Sequence, residues 1–175
     1  PNLENLIQLV SDIKPSLDIS LTTNGYLLKD KAVLLKQSGL HRLTVSLDTL
    51  NDDIFKKMNG RDVSVSKVIT GINAAEDAGF FPIKINAVVQ KNVNFHTILE
   101  LAKYFDERGH ILRFIEYMDV GTLNSWSAGD VVSAEEILST IDKEMPLEPL
   151  PSNYTGEVAS RYRYKDSGNE IGIIS

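Results

Sequence analysis

The 175 residues contain no cysteine. Disulfides, thiolate nucleophiles, cysteine zinc sites and iron–sulfur ligation from within these residues are therefore excluded. Long hydrophobic runs are also missing. No apolar stretch approaches the ~20 residues of a membrane-spanning helix. Positive charge is in deficit, with 18 basic against 24 acidic residues and a net charge of −6. Nucleic-acid binders carry the opposite balance, so neither nucleic acid nor membrane is expected as a partner. The three histidines, His41, His96 and His110, are scattered without metal-ligand spacing, which suits loop and surface roles. No G-x-G-x-x-G, G-K-[ST] or G-x-S-x-G motif occurs. The first residues have neither a basic region nor an apolar core, so the expected compartment is the cytoplasm. The chain opens on Pro1 rather than Met and stops at Ile171-Gly172-Ile173-Ile174-Ser175, which reads as a strand cut short; both features are expected of an excerpt.

What remains is an ordinary globular composition, 42% hydrophobic and 24% charged. Disorder would need fewer apolar residues and more net charge. Leu3, Leu6, Ile7, Val10 and Ile13 recur at helical spacing, so a helix is expected over 3–13, ended by Pro15. Strands are expected over 17–22, 42–47, 83–89 and 111–117. Helices are expected between them over 30–37, 52–58, 64–78 and 95–107, with Leu34 and Leu35 on the buried side of the first. Asn24-Gly25, Gly39, Gly79 and Gly109 supply turns and helix ends. After Met118 comes a loop with Gly121, Asn124, Trp126 and Gly129, Trp126 serving as a packing anchor or a stacking surface. Ser133-Ala134-Glu135-Glu136 resembles a capping box and opens another helix. The region of Pro146, Pro149 and Pro151 is expected to be extended, and segments 161–164 and 170–174 to form a hairpin. Strand and helix in alternation define an α/β fold on a parallel sheet.

A parallel sheet covered by helices should read as unbroken Val, Ile and Leu. Here polar residues alternate with apolar ones: Ser20, Thr22 and Asn24; Thr44, Ser46 and Asp48; Lys84 and Asn86; Arg113. Alternation puts each set on one face of its strand, opposite the helices. A shared polar interior suits a ligand-filled barrel, whereas a packed barrel core is apolar. Other readings stay open. Thr22 and Asn24 suit a turn, Ser46 and Asp48 suit caps for the helix at 52, and Arg113 suits an ion pair with Glu116. Lys84 is hardest to place without water, a partner or an anionic ligand, because a lysine in mid-strand is costly to bury.

Leu21-Thr22-Thr23-Asn24-Gly25, Val45-Ser46-Leu47-Asp48, the run 113–121 from Arg113-Phe114-Ile115-Glu116-Tyr117-Met118 to Gly121, and Gly156-Glu157-Val158-Ala159 follow one another in order. In that order and spacing the chain resembles the molybdenum cofactor biosynthesis protein A family, the radical S-adenosylmethionine GTP 3′,8-cyclases. The resemblance implies a partial (β/α)6 TIM-like barrel, about four parallel strands of it here. Residues 1–120 would be later βα units, and 121–175 the start of a C-terminal extension. It implies GTP held by Thr22, Lys84 and Arg113, with Lys84 on the phosphates, and S-adenosylmethionine held by Ser46 and Met118. No catalytic residue and no metal ligand is implied in this stretch. The family's two [4Fe-4S] clusters are ligated by cysteines outside it, so the chain alone is expected to be inactive. The electron donor is left open, and a homodimer is allowed. Two other classes fit the residues alone: an aldolase-like barrel in which Lys84 forms a Schiff base, and a nonenzymatic ligand-binding module.

Overall fold

The computed structural model describes residues 2–14, 16–118 and 128–175. The expected helix stop at Pro15, and Gly121, Asn124 and Trp126 of the long loop, lie outside the described residues, as does the end of the run 113–121.

The chain alternates as expected: α1 (Leu3–Ile13), β1 (Ser20–Thr23), α2 (Leu28–Gln37), β2 (Arg42–Ser46), α3 (Asp52–Asn59), α4 (Val65–Asp77), β3 (Lys84–Val89), α5 (Ile98–Glu107) and β4 (Ile111–Glu116). Then come α6 (Ala134–Glu144), β5 (Leu147–Pro149), β6 (Ser160–Tyr164) and β7 (Glu170–Ile174). The first strand begins at Ser20 rather than Leu17, and a 3-10 turn over Phe95–Thr97 leads into α5. Local chemistry explains several boundaries. Asn51 caps α3 by accepting from the amides of Asp53 and Ile54, at 3.0 and 3.1 Å. Ser133 caps α6 by accepting from the Glu136 amide at 3.1 Å. Gly25 turns β1 into α2 at φ +78°, where a Cβ would meet Val68 and Val45 at 3.0 and 3.2 Å. Gly71 of α4 faces that turn so closely that its own Cβ would lie 2.7 Å from the Gly25 carbonyl oxygen.

The strands form one sheet in the order β1-β2-β3-β4-β7-β6-β5. The first four are parallel neighbours. Segments 160–164 and 170–174 pair antiparallel, as the hairpin reading expected. In addition, β7 lies parallel beside β4, so a fifth strand extends the parallel run. That long-range pairing has no local signature. β1 remains at the sheet edge, with no strand on its far side among the described residues.

One face of the sheet is the core. Leu43, Val45, Ile85, Ala87, Val89, Leu112, Phe114, Ile171 and Ile173 are buried there with Leu28, Ala32 and Leu35 of α2. Val68, Ile72 and Ala75 of α4, Leu101 and Phe105 of α5, and Ile137 and Ile141 of α6 complete it. Each large apolar side chain contributes about 1.5–3 kcal/mol when fully buried. Leu34 is 46% exposed, because the face of α2 that meets α4 is set by Leu28, Ala32 and Leu35. In α1 only Ile7 is buried, while Leu6, Leu9 and Ile13 stay exposed.

Candidate functional site

The other face carries the polar alternation. Strand register sorts it into rows, since directly paired residues point the same way. Thr22, Thr44, Lys84 and Ile111 form one row. Ser46, Asn86, Arg113, Gly172 and Arg161 form the next. Thus Thr22, Ser46, Lys84 and Arg113, all picked out by alternation, share one face. Met118 is different: it lies two residues past the end of β4, is 47% exposed, and joins Asp48, Met58, Val88 and Tyr117 around a cavity of 350 Å³. Ser46 does not line that cavity.

Three structural readings of these side chains can now be settled. Asn24 does build the turn, accepting from the Tyr26 amide at 3.2 Å, but Thr22 takes no part and its side chain is exposed. Neither Ser46 nor Asp48 caps α3, because Asn51 does. Asp48 instead accepts from the Val88 amide at 2.8 Å, joining the end of β2 to β3, and burial pushes its carboxyl pKa up despite that bond. Asn94, fully buried, braces the same junction through the carbonyls of Asp48 and Val88, both at 2.8 Å. Arg113 does not pair with Glu116, which accepts from the Ala134 amide at the start of α6. The Arg113 Nε donates to Asn86 Oδ1 at 2.9 Å.

The charges on this face separate into two kinds. Arg42 pairs with Asp18 at 2.8 Å, Arg161 with Glu170 at 2.7 Å, and Arg163 donates to Glu148 at 2.7 Å. Lys84 and Arg113, between them, have no carboxylate partner among the described residues. Lys84 makes no hydrogen bond there either. Its ammonium pKa is held below the usual range by burial first, then by the charges of Arg113 and Arg42. Burial likewise lowers that of Arg113. Glu170 and Glu157 partly offset the charge of both. The turn 151–159 lies over this face, since Arg161 donates to the Pro151 carbonyl at 2.8 Å and its Nε is 3.9 Å from Glu157. Two adjacent half-buried cations, each without a paired carboxylate among the described residues and only partly offset by Glu170 and Glu157, are an electrostatic deficit that a polyanion would fill.

Alternation alone had flagged Asn86 as polar without giving it a role, and it had said nothing of Gly172, which faces Arg113. Among the described residues no group of three or more His, Cys, Asp or Glu could hold a metal ion, and no helix is long and apolar enough to cross a membrane.

A mostly parallel α/β sheet with helices on one face is the architecture of an opened β/α barrel, and here its other face carries cations without carboxylate partners among the described residues. In fold the chain is similar to coproporphyrinogen III oxidase from Escherichia coli, described as a radical SAM enzyme. The TM-score is 0.61 at 17% identity, covering 81% of this chain and 35% of that one. The family model described as the Radical SAM superfamily matches residues 1–105, and the model described as Molybdenum Cofactor Synthesis C matches residues 110–175. The chain belongs to the radical SAM superfamily, whose members use S-adenosylmethionine and an iron–sulfur cluster. It is 48% identical over 174 residues to a protein named GTP 3′,8-cyclase from Acidothermus cellulolyticus, covering 99% of this chain and 48% of that protein. Proteins of the same name from Xanthomonas campestris and Staphylococcus carnosus are 47% and 41% identical, each over 99% of this chain and 51% of the relative. The chain thus spans about half the length of the curated relatives it matches.

Proposed function

We propose that this chain is the GTP-holding part of a GTP 3′,8-cyclase, a lyase of molybdenum cofactor biosynthesis. The full-length protein would convert GTP to (8S)-3′,8-cyclo-7,8-dihydroguanosine 5′-triphosphate in the cytoplasm. Residues 1–120 serve as later βα units of the barrel, and 121–175 begin the C-terminal extension. The observation that carries this reading is the unpaired couple Lys84 and Arg113 on the polar face of a chain so similar to enzymes of that name.

Lys84 lies at the start of β3 and Val88 four residues further up the strand, which is roughly 13 Å at the usual strand rise. A nucleotide laid along this face can therefore place its triphosphate at Lys84 and Arg113 and its sugar toward the upper ends of the strands. Thr22, exposed in the Lys84 row, offers on the same side a hydroxyl with no hydrogen-bond partner among the described residues. The work of these residues is binding, orientation and exclusion of water; none holds or moves a proton in the reaction.

The residues at the strand tops fit S-adenosylmethionine. Ser46 presents a half-buried hydroxyl with no partner among the described residues, while Met118, Met58 and Val88 give the neighbouring cavity apolar walls. When bound, that cofactor supplies the hydrogen-abstracting radical of the superfamily. The two [4Fe-4S] clusters of the proposed enzyme need thiolates, and this stretch has no cysteine, so their ligands belong to other parts of the full-length protein.

The test is anaerobic assay of the full-length protein with GTP and S-adenosylmethionine. Formation of the cyclised triphosphate is expected. Absence of product, together with no measurable GTP binding, would overturn the reading. The lowered Lys84 ammonium pKa is also what a Schiff-base lysine needs. A stable adduct trapped by borohydride with a carbonyl substrate would favour an aldolase-like enzyme instead.

A further inference from the structure

We infer that Asn86 is a positioning residue for Arg113, an anchor chosen to orient the guanidinium without neutralising it. The inference rests on the proposal that this face holds a triphosphate. Two arginines of β6 supply the contrast. Arg161 spends Nε and Nη2 on the two carboxylate oxygens of Glu170, at 2.8 and 2.7 Å. Arg163 spends Nε and Nη2 on Glu148. A guanidinium clamped that way has its charge cancelled and its fork occupied. Arg113 has the same reach but a neutral partner. Its Nε donates to Asn86 Oδ1 at 2.9 Å, and neither Nη nitrogen has a partner among the described residues. One bond to Nε fixes the plane of the group and leaves the outer edge, with four N–H donors, open.

The opposite side of Arg113 is shaped by Gly172. A Cβ there would stand 3.1 Å from Arg113 Cγ and 3.6 Å from Ala159 Cβ, so any larger residue presses on the arginine stem. Asn86 and Gly172 flank Arg113 in one row of the sheet. The side chain is thereby bonded on one side and given room on the other, with no carboxylate paired to it among the described residues.

The decisive substitution is Asn86→Asp in the full-length protein. It adds a single charge, keeps the side-chain shape, and turns Arg113 into a paired arginine like Arg161. Titration of GTP, guanosine and S-adenosylmethionine reads the result, with Arg113→Ala as the reference background. Asn86→Asp is expected to weaken GTP binding at least tenfold while leaving guanosine and S-adenosylmethionine binding unchanged and the unfolding midpoint the same or higher. Asn86→Ala, which loses orientation but not charge, is expected to weaken GTP binding by about three- to tenfold, and Gly172→Ala by a similar factor. In the Arg113→Ala background the effects of Asn86→Ala and Gly172→Ala should vanish, and that of Asn86→Asp should shrink to the direct repulsion between the added carboxylate and the triphosphate. Effects of undiminished size in that background would overturn the positioning role, as would a loss confined to S-adenosylmethionine. A different pattern, in which Arg113→Ala itself leaves GTP affinity unchanged, would overturn the triphosphate reading beneath it.

Discussion

Replacing Lys84 with alanine separates binding from folding more sharply than any other change on the polar face. In the structure the ammonium is half-buried, bonds to nothing among the described residues, and is repelled by Arg113 and Arg42. Attraction to Glu170 and Glu157 offsets this only in part, since burial and the two arginines outweigh it. Lys84→Ala should leave the ligand-free unfolding midpoint unchanged or raise it, because a desolvated like charge is removed. A hydrogen bond to a charged group contributes about 1.5–3 kcal/mol. At about 1.4 kcal/mol per factor of ten, loss of one such contact weakens GTP binding by roughly 10- to 150-fold. Guanosine, without phosphates, should lose far less, and S-adenosylmethionine almost nothing. The pH dependence has a definite sign. Binding requires the charged ammonium, whose pKa in the free protein lies below the ordinary lysine value. GTP affinity should therefore be full at neutral pH and decline on the alkaline side earlier than an ordinary lysine would allow, and Lys84→Ala should flatten that decline. Calorimetric titration of the full-length protein across pH measures all of this. Equal losses for GTP and guanosine, or a midpoint that falls by several degrees, would show that Lys84 holds the base or the fold, and the reasoning from its missing counterion would be refuted.

Three further outcomes follow from other parts of the chain. His110 is buried, accepts from the Ile83 amide through Nδ1 at 3.4 Å, and has Nε2 2.8 Å from Glu76; burial, the largest influence, lowers its pKa. A histidine depressed in the fold binds its proton more readily when unfolded, so its contribution is complete above the unfolded value of ~6.5 and is lost as pH falls. The urea midpoint should drop from pH 7.5 to 5.5, and His110→Gln should reduce that drop; a histidine-independent drop would contradict it. Asn94→Ala removes three hydrogen bonds of 2.8 Å, to the Asp48 and Val88 carbonyls and from the Gln90 amide, and should cost about 3 kcal/mol in urea unfolding. Finally, the 175-residue chain incubated anaerobically with iron and sulfide should show no stoichiometric cluster absorbance, since it has no thiolate to offer.

Periodicity of two made the site's face legible from sequence, because side-chain alternation is a local property of any strand. Thr22, Ser46, Lys84 and Arg113 fall on one face for that reason alone. The order of helices and strands was equally legible, since glycine turns and 3.6-residue spacing are local as well. The role of each polar side chain was not. Asp48 and Ser46 satisfied the pattern of a cap, yet Asn51 held the geometry, and Asp48 was taken by an amide 40 residues away. Leu34 satisfied the pattern of a core residue, yet the angle at which α2 meets α4 left it in water. The parallel seat of β7 beside β4 depends on a crossover through α6 and the β6–β7 hairpin, which no local spacing encodes. Composition and alternation by themselves determined that cations would line a polar face. Which of them remained uncompensated was decided only when the fold brought Glu170 to Arg161, Asp18 to Arg42 and a neutral Asn86 to Arg113, because electrostatic pairing depends on distance in space.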